Sequence, residues 1–383
     1  MPDQPPTQFV PPKELKAFQN DRQLCVARFS PCGNFLAAGA MEGTVRRWKV
    51  VEKPKAAVDV ELPDEPKKKP ALKNARKTTE ESPVDLVAMP HLTGFNGWVQ
   101  NLAFHPKDKV LFCADTWGKL AAIAYEGDAP KPTWENATAH DGWIRRLAIS
   151  ADGQHLATCG RDQFIRIWTT AGKLVAEHRA EEEVFAVTFA PEGKLVAFGD
   201  LKGRVKTWDF GTKQLIRDFD ASVLFSVSRL QDVCGLRVVT FIDGGKSLLV
   251  GGCEPAGGGF LEGAPVLVKF DTATGKKQTE WKFGAAKDGF VLDVAWHPGG
   301  YLILVTSGQP GSGKILFLRP GEKEPFFTHT NVANCHSVTL HPDGKRFAVA
   351  AMNKASNGNG RPKTADGSYP GNTSPVHLFE IPA

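Results

Sequence analysis

Short apolar runs alternate with polar turns along most of the chain, and within the runs the side chains follow the two-residue period of strands. His155–Cys159 and Phe164–Trp168 are typical, with Gly160-Arg161-Asp162 between them. β-Branched and aromatic residues fill such runs and Gly, Pro or Asp interrupts them every few residues, which predicts strands joined by tight hairpins. No stretch sustains the 3.6-residue period of an amphipathic helix. Seven times an apolar run is followed by a turn resembling Pro-Asp-Gly-Lys and then by a second run. The turns are Pro31-Cys32-Gly33-Asn34, Pro106-Lys107-Asp108-Lys109, Ala151-Asp152-Gly153-Gln154, Pro191-Glu192-Gly193-Lys194, Asp243-Gly244-Gly245-Lys246, Pro298-Gly299-Gly300-Tyr301 and Pro342-Asp343-Gly344-Lys345.

The residue before each turn is a register mark. The marks Ser30, His105, Ser150, Ala190, Ile242, His297 and His341 are spaced by 75, 45, 40, 52, 55 and 44 residues. Self-similarity at roughly 40–45 residues is the signature of four-stranded propeller blades, and the longer intervals hold insertions. Trp48, Trp168 and Trp208 each lie 18 residues beyond their marks. Phe270, Phe317 and Phe379 take that place after longer loops, and Ile123 takes it in the second unit. The expected fold is all-β, a seven-bladed β-propeller of four-stranded antiparallel blades. The last unit ends at Pro375–Ile381 without a fourth strand, whereas Glu14–Gln19 precedes the first unit and is spare. This N-terminal strand is therefore expected to close the ring, which removes open sheet edges. The expected organisation is a tail over 1–13 and a single propeller over 14–383.

The third unit carries Ala139-His140, Thr158, Asp162 and Trp168, and the fourth carries the chain's one Trp-Asp pair, Trp208-Asp209. In these residues the sequence resembles the WD-repeat β-propeller family over roughly residues 14–382. The likeness is strongest in units one, three and four. It implies that His140, Thr158, Asp162 and Trp168 form a hydrogen-bonded chain within one blade. Imidazole, hydroxyl, carboxylate and indole N–H can satisfy one another when buried, and a satisfied network rigidifies its surroundings. Unit four has Ala180 in place of the His and Lys202 in place of the Asp.

Composition narrows the function. At 383 residues the length alone suits two or three domains, but one seven-bladed ring uses it all. The chain is 42% hydrophobic and 23% charged, with a net charge of +5, too mild to call for nucleic acid. The seven Cys are odd in number and include no Cys-x-x-Cys, which reads as small buried thiols in a reducing compartment. The start, Met1-Pro-Asp-Gln-Pro-Pro, lacks the features of a signal peptide, and no run of ~18 apolar residues exists. A cytoplasmic location with no membrane partner is expected. Three insertions stand out. Residues 52–83 are charged and include Lys67, Lys68, Lys69, Lys73, Arg76 and Lys77, residues 352–374 are rich in Gly and Asn, and Cys253–Gly263 is Gly-rich. The first falls between the third and fourth strands of blade one. The other two fall between second and third strands, in blades seven and five.

Several motifs suggest chemistry and are better read as structure. Gly308–Ile315 approaches a phosphate-binding loop, yet Ile315 replaces the required hydroxyl and a strand follows instead of a helix. His105, His297 and His341 share a position, but around a ring such positions cannot converge within about 2 Å of one metal. Each His is expected to serve its own turn. His140, Thr158 and Asp162 lie in one blade beside a core Trp and lack the open pocket of a hydrolytic triad. No cofactor, metal or catalytic residue is expected.

The position after each blade-leading loop reads Gln23, Trp98, Trp143, Glu183, Gly235, Phe290 and Asn334, and Arg145 follows Trp143. Trp and Arg are enriched in binding hot spots. The expected function is therefore a non-catalytic scaffold that binds a protein or peptide through the face holding Trp98, Trp143, Arg145 and Phe290. One alternative is a propeller enzyme of hydrolase or lactonase type. It would use the central channel, where Asn101, Arg146, Asp293 and His336 are the available groups. The other is nucleic-acid association through the basic run in 52–83.

Overall fold

A computed structural model describes residues 9–53, 82–228, 231–256, 262–309, 311–330, 332–352 and 374–382. Seven four-stranded antiparallel sheets stand in a ring, each entered at its innermost strand, and the first six are left at their outermost. The innermost strands are Leu24–Phe29, Val99–Phe104, Ile144–Ile149, Val184–Phe189, Leu236–Ile242, Phe290–His297 and Cys335–Leu340. No α-helix occurs among the described residues.

The ring closes through the strand Lys13–Phe18. It pairs antiparallel with Val376–Glu380, from Lys13 opposite Glu380 to Phe18 opposite Val376. The described part of the expected tail is not free of the propeller. Phe9 packs edge-on against Phe326 with ring centroids 4.8 Å apart, and also meets Phe317 and Phe327 of blade six.

The seven residues at the aromatic register, from Trp48 to Phe379, all lie on third strands and are all buried. They pack between sheets, where large apolar surfaces exclude water most effectively. Large side chains need small ones opposite, and the second strands supply them in Phe35–Ala40 (FLAAGA), Leu195–Asp200 (LVAFGD) and Arg346–Ala351 (RFAVAA). Burial of both faces is why the middle strands read as continuous apolar runs.

Two expectations about insertions change. The described ends of Cys253–Gly263 are strand, because the hairpin of Ser247–Ala256 with Glu262–Asp271 continues its ladder out to Ala256 opposite Glu262. A Lys282–Glu254 ion pair at 2.6 Å ties this extension to the blade's outer strand. The 52-residue interval before Ile242 holds a feature the sequence pattern did not single out. The loop leading into blade five folds into a two-stranded hairpin, Phe225–Ser228 with Gln231–Cys234. The basic run of 52–83 lies outside the described residues. Its stems, Val45–Glu52 and Val84–Leu92, pair as the third and fourth strands of blade one.

Candidate interaction face and channel mouth

Antiparallel blades put the leading loops and the second-to-third-strand turns at one end of the ring, and the Pro-Asp-Gly turns at the other. Backbone hydrogen bonds join the first two sets. Met41 N–H donates to Gln23, Thr116 to Trp98, Arg161 to Trp143, Leu201 to Glu183, Cys253 to Gly235 and Met352 to Asn334.

Blade three shows the polar network in full. Trp168 donates its indole N–H to Thr158 Oγ1 at 2.9 Å, Thr158 Oγ1 lies 2.8 Å from His140 Nε2, and His140 Nδ1 lies 2.8 Å from Asp162 Oδ1. An indole only donates, so the hydroxyl proton goes to Nε2 and Nδ1–H goes to the carboxylate. Burial keeps His140 neutral against the pull of Asp162. Burial would raise the Asp162 carboxyl, but hydrogen bonds from His140 and Arg166 outweigh it and hold the group far below the usual carboxylate range. All four polar groups are satisfied within the protein, which leaves no nucleophile. In blade four the corresponding Trp208 Nε1 has no partner among the described residues, and Trp208 is packed instead by His178 at 5.5 Å.

The structure brings Trp98, Trp143 and Arg145 together. Trp98 meets Trp143 edge-on at 6.2 Å, and the Arg145 guanidinium lies 3.8 Å over the Trp143 ring and 4.6 Å over Phe185. Glu183 pairs with Arg145 at 2.5 Å, and Gln100 accepts from the Trp143 indole at 3.1 Å. Trp98 is 42% exposed, and beside it stands Trp117, 68% exposed, on the second-to-third-strand turn of blade two. Together with Met41, Glu42, Asn96 and Trp143 they border an open groove of about 520 Å³. Trp117 was not singled out from sequence because nothing in its own turn distinguishes it from a packed Trp. Phe290 is placed differently from expectation. It is 8% exposed and lies beneath the Arg237 guanidinium, 4.4 Å from it.

A second ring of residues surrounds the mouth of the central channel. Every innermost strand carries a β-bulge at the same register, and the residues left unpaired are Cys25, Gln100, Arg145, Phe185, Arg237, Leu292 and His336. A bulge re-aims its extra side chain. All seven line one cavity of about 290 Å³. Each lies two residues beyond its rim position, so the ring was readable from the same register that gave Trp98 and Trp143.

Below the mouth, Asp293 spans the channel. It accepts from Arg28 at 2.8 Å and Arg146 at 3.4 Å, and from the N–H groups of Val338 and Val294. Asn101 donates to the Ile144 carbonyl at 3.0 Å. The carboxylate and amide available to an enzyme are thus committed to holding blades one, two, three, six and seven together. Among the described residues no group of three or more His, Cys, Asp or Glu is placed to hold a metal. The described residues of Gly308–Ile315 lead from the strand Tyr301–Ser307 into its antiparallel partner Gly313–Leu318, with no helix. The three mark histidines lie at the opposite end, and each bonds the next blade's turn rather than only its own: His105 to Gly153, His297 to Gly344 and His341 to Gly33.

A sequence profile described as WD domain, G-beta repeat matches residues 11–49 and 133–169, each spanning the outer strand of one blade and the first three strands of the next, blades one and three. WD repeat-containing protein 55 of Danio rerio is 31% identical over 116 residues, 29% of this chain and 30% of that protein. Protein TOPLESS-RELATED PROTEIN 2 of Oryza sativa subsp. japonica is 25% identical over 242 residues, 58% of this chain and 20% of that protein. WD repeat and SOCS box-containing protein 1 of Takifugu rubripes is 29% identical over 86 residues, 21% of this chain and 18% of that protein. Its seven blades, its two matched repeats and its His140–Trp168 network are those of a WD-repeat β-propeller. The matched stretches cover less than a third of each of these relatives.

Proposed function

We propose that the protein is a non-catalytic interaction scaffold that binds a protein or peptide on the face of Trp98, Trp117, Trp143 and Arg145. The observation that carries this is the paired exposure of Trp98 and Trp117 over an open groove. Large rings left in water beside a pinned guanidinium have the composition of an interface core. The enzyme reading has less support, since Asp293 has four hydrogen-bond donors and Asn101 is bound to backbone. The test is quantitative affinity capture from the native source with the wild-type chain and with a Trp98→Ala, Trp143→Ala double variant. The scaffold reading expects specific partners to be lost from the variant, and an unchanged partner set sinks the site assignment.

A further inference from the structure

The mouth holds more positive than negative charge. Four guanidiniums, Arg28, Arg145, Arg146 and Arg237, line the mouth and channel, and the ion pairs among them use two carboxylates, Glu183 and Asp293. Arg237 is the cation left over. Among the described residues no carboxylate pairs with it. Its Nη1 donates to the carbonyls of Leu236 at 2.7 Å and Cys234 at 3.1 Å, and neither Nε nor Nη2 has an acceptor among the described residues. The guanidinium lies 4.4 Å over Phe290 and 5.7 Å over Phe185, so its plane is fixed before anything binds. Burial weakens the hold of this group on its proton, opposed in part by Cys234 and Cys253. Arginine nonetheless stays charged at any physiological pH, so the site keeps a desolvated cation without a counter-ion. Across the same cavity His336 Nε2 is buried with no hydrogen-bond partner among the described residues.

The free edge of a guanidinium, Nε–H beside Nη2–H, is the fork that takes both oxygens of a carboxylate. The cavity adjoins the tryptophan groove, since Met41 and Trp143 line both. We propose that the channel mouth is a carboxylate receptor, in which Arg237 receives an Asp or Glu side chain of a partner peptide while an adjacent apolar residue lies on Trp98 and Trp117. The inference rests on the scaffold reading above and specifies the chemistry of its ligand. A peptide is favoured over a free acid because the anion site and the exposed rings form one surface, and a small acid would fill only the first. Phosphate fits less well, because the second guanidinium at the mouth, Arg145, already spends Nε and Nη2 on Glu183.

The test uses the full chain and a phage-displayed library of random peptides, followed by fluorescence polarisation with the best selected sequence. Selected peptides should carry Asp or Glu next to a bulky apolar residue. Changing that acid to Gln or Asn should weaken binding to the wild type roughly tenfold to a hundredfold, the range of a charge-assisted hydrogen bond. The same change should have little effect on binding to an Arg237→Gln variant, while Arg237→Lys should fall between. Thermal melting of both variants establishes that the ring is intact. Selection of peptides without acids overturns the proposal, as does an equal penalty for the amide peptide in wild type and Arg237→Gln. Tighter binding of a phosphoserine peptide than of the carboxylate peptide overturns the carboxylate assignment. If Trp98→Ala weakens the peptide and Arg237→Gln does not, the scaffold face stands and the carboxylate receptor falls. If neither variant matters, both fall.

Discussion

The Nε2–H of His341 donates to the carbonyl oxygen of Gly33 at 3.1 Å, joining the turn of blade seven to the turn of blade one across 308 residues of sequence. The same bond links blade two to blade three through His105 and Gly153 at 2.8 Å, and blade six to blade seven through His297 and Gly344 at 2.7 Å. In His297 the other nitrogen, Nδ1, accepts from Gly299 N–H at 2.9 Å, so one neutral ring fastens its own turn and the next. His341→Ala removes a buried bond at the closing seam and leaves a carbonyl without its donor. It should cost about 2 kcal/mol of unfolding free energy, read as a lower midpoint in chemical denaturation. Gly33 sits at φ +76°, and a Cβ there would come within 2.4 Å of His341 Nε2, so Gly33→Ala should destabilise through the same seam.

The two best repeats should respond unequally to one substitution. Trp168→Phe deletes the indole donor to Thr158 and opens a satisfied network. Trp208→Phe deletes an indole N–H that has no partner to lose among the described residues. Both lose similar ring volume, so the difference isolates the polar term. Trp168→Phe should be the more destabilising by about 1 kcal/mol, measured by paired denaturation curves.

The ring, its seven-fold count, the third-strand aromatics and the closing strand were legible in the sequence because they depend on period and turn chemistry. The polar chain of blade three was legible because its four residue types complete one another. The mark histidines were legible as positions but not as latches, since the carbonyl each one bonds belongs to the next unit. Asp293 offers no local signal either, because its partners Arg28 and Arg146 lie 265 and 147 residues away. Phe290 shares the register of Trp98 and Trp143, but its exposure is decided by Arg237 on a neighbouring blade.

Burial lowers the pKa of His336 from 6.5 to about 4. In the cavity it faces Cys25, Arg145, Arg146 and Arg237, none of which can stabilise an imidazolium. A depressed histidine pKa means that the unfolded chain takes up the proton first. Stability from this group is therefore intact above the unfolded value of ~6.5 and is lost as pH falls from there toward about 4. The shift bounds the loss at roughly 3 kcal/mol, lessened because part of the ring borders the cavity. His336→Phe should flatten the stability profile between these limits, measured as denaturation midpoints against pH.

Asp293 holds two guanidiniums from blades one and three against blade six. Asp293→Ala strands both cations in the channel and should cost about 3–5 kcal/mol, the range for breaking a buried ion pair. Asp293→Asn keeps the shape and should cost less. Circular dichroism melting of both variants checks the order.

The most direct test of the scaffold reading is which end of the ring a partner touches. A photo-crosslinking amino acid, p-benzoylphenylalanine, is placed at Trp117 on the proposed face or at Glu192 on the opposite turns, and the protein is irradiated in extract from the native source. The account predicts a discrete protein adduct from position 117 and none from 192. Adducts from 192 with none from 117 would contradict it.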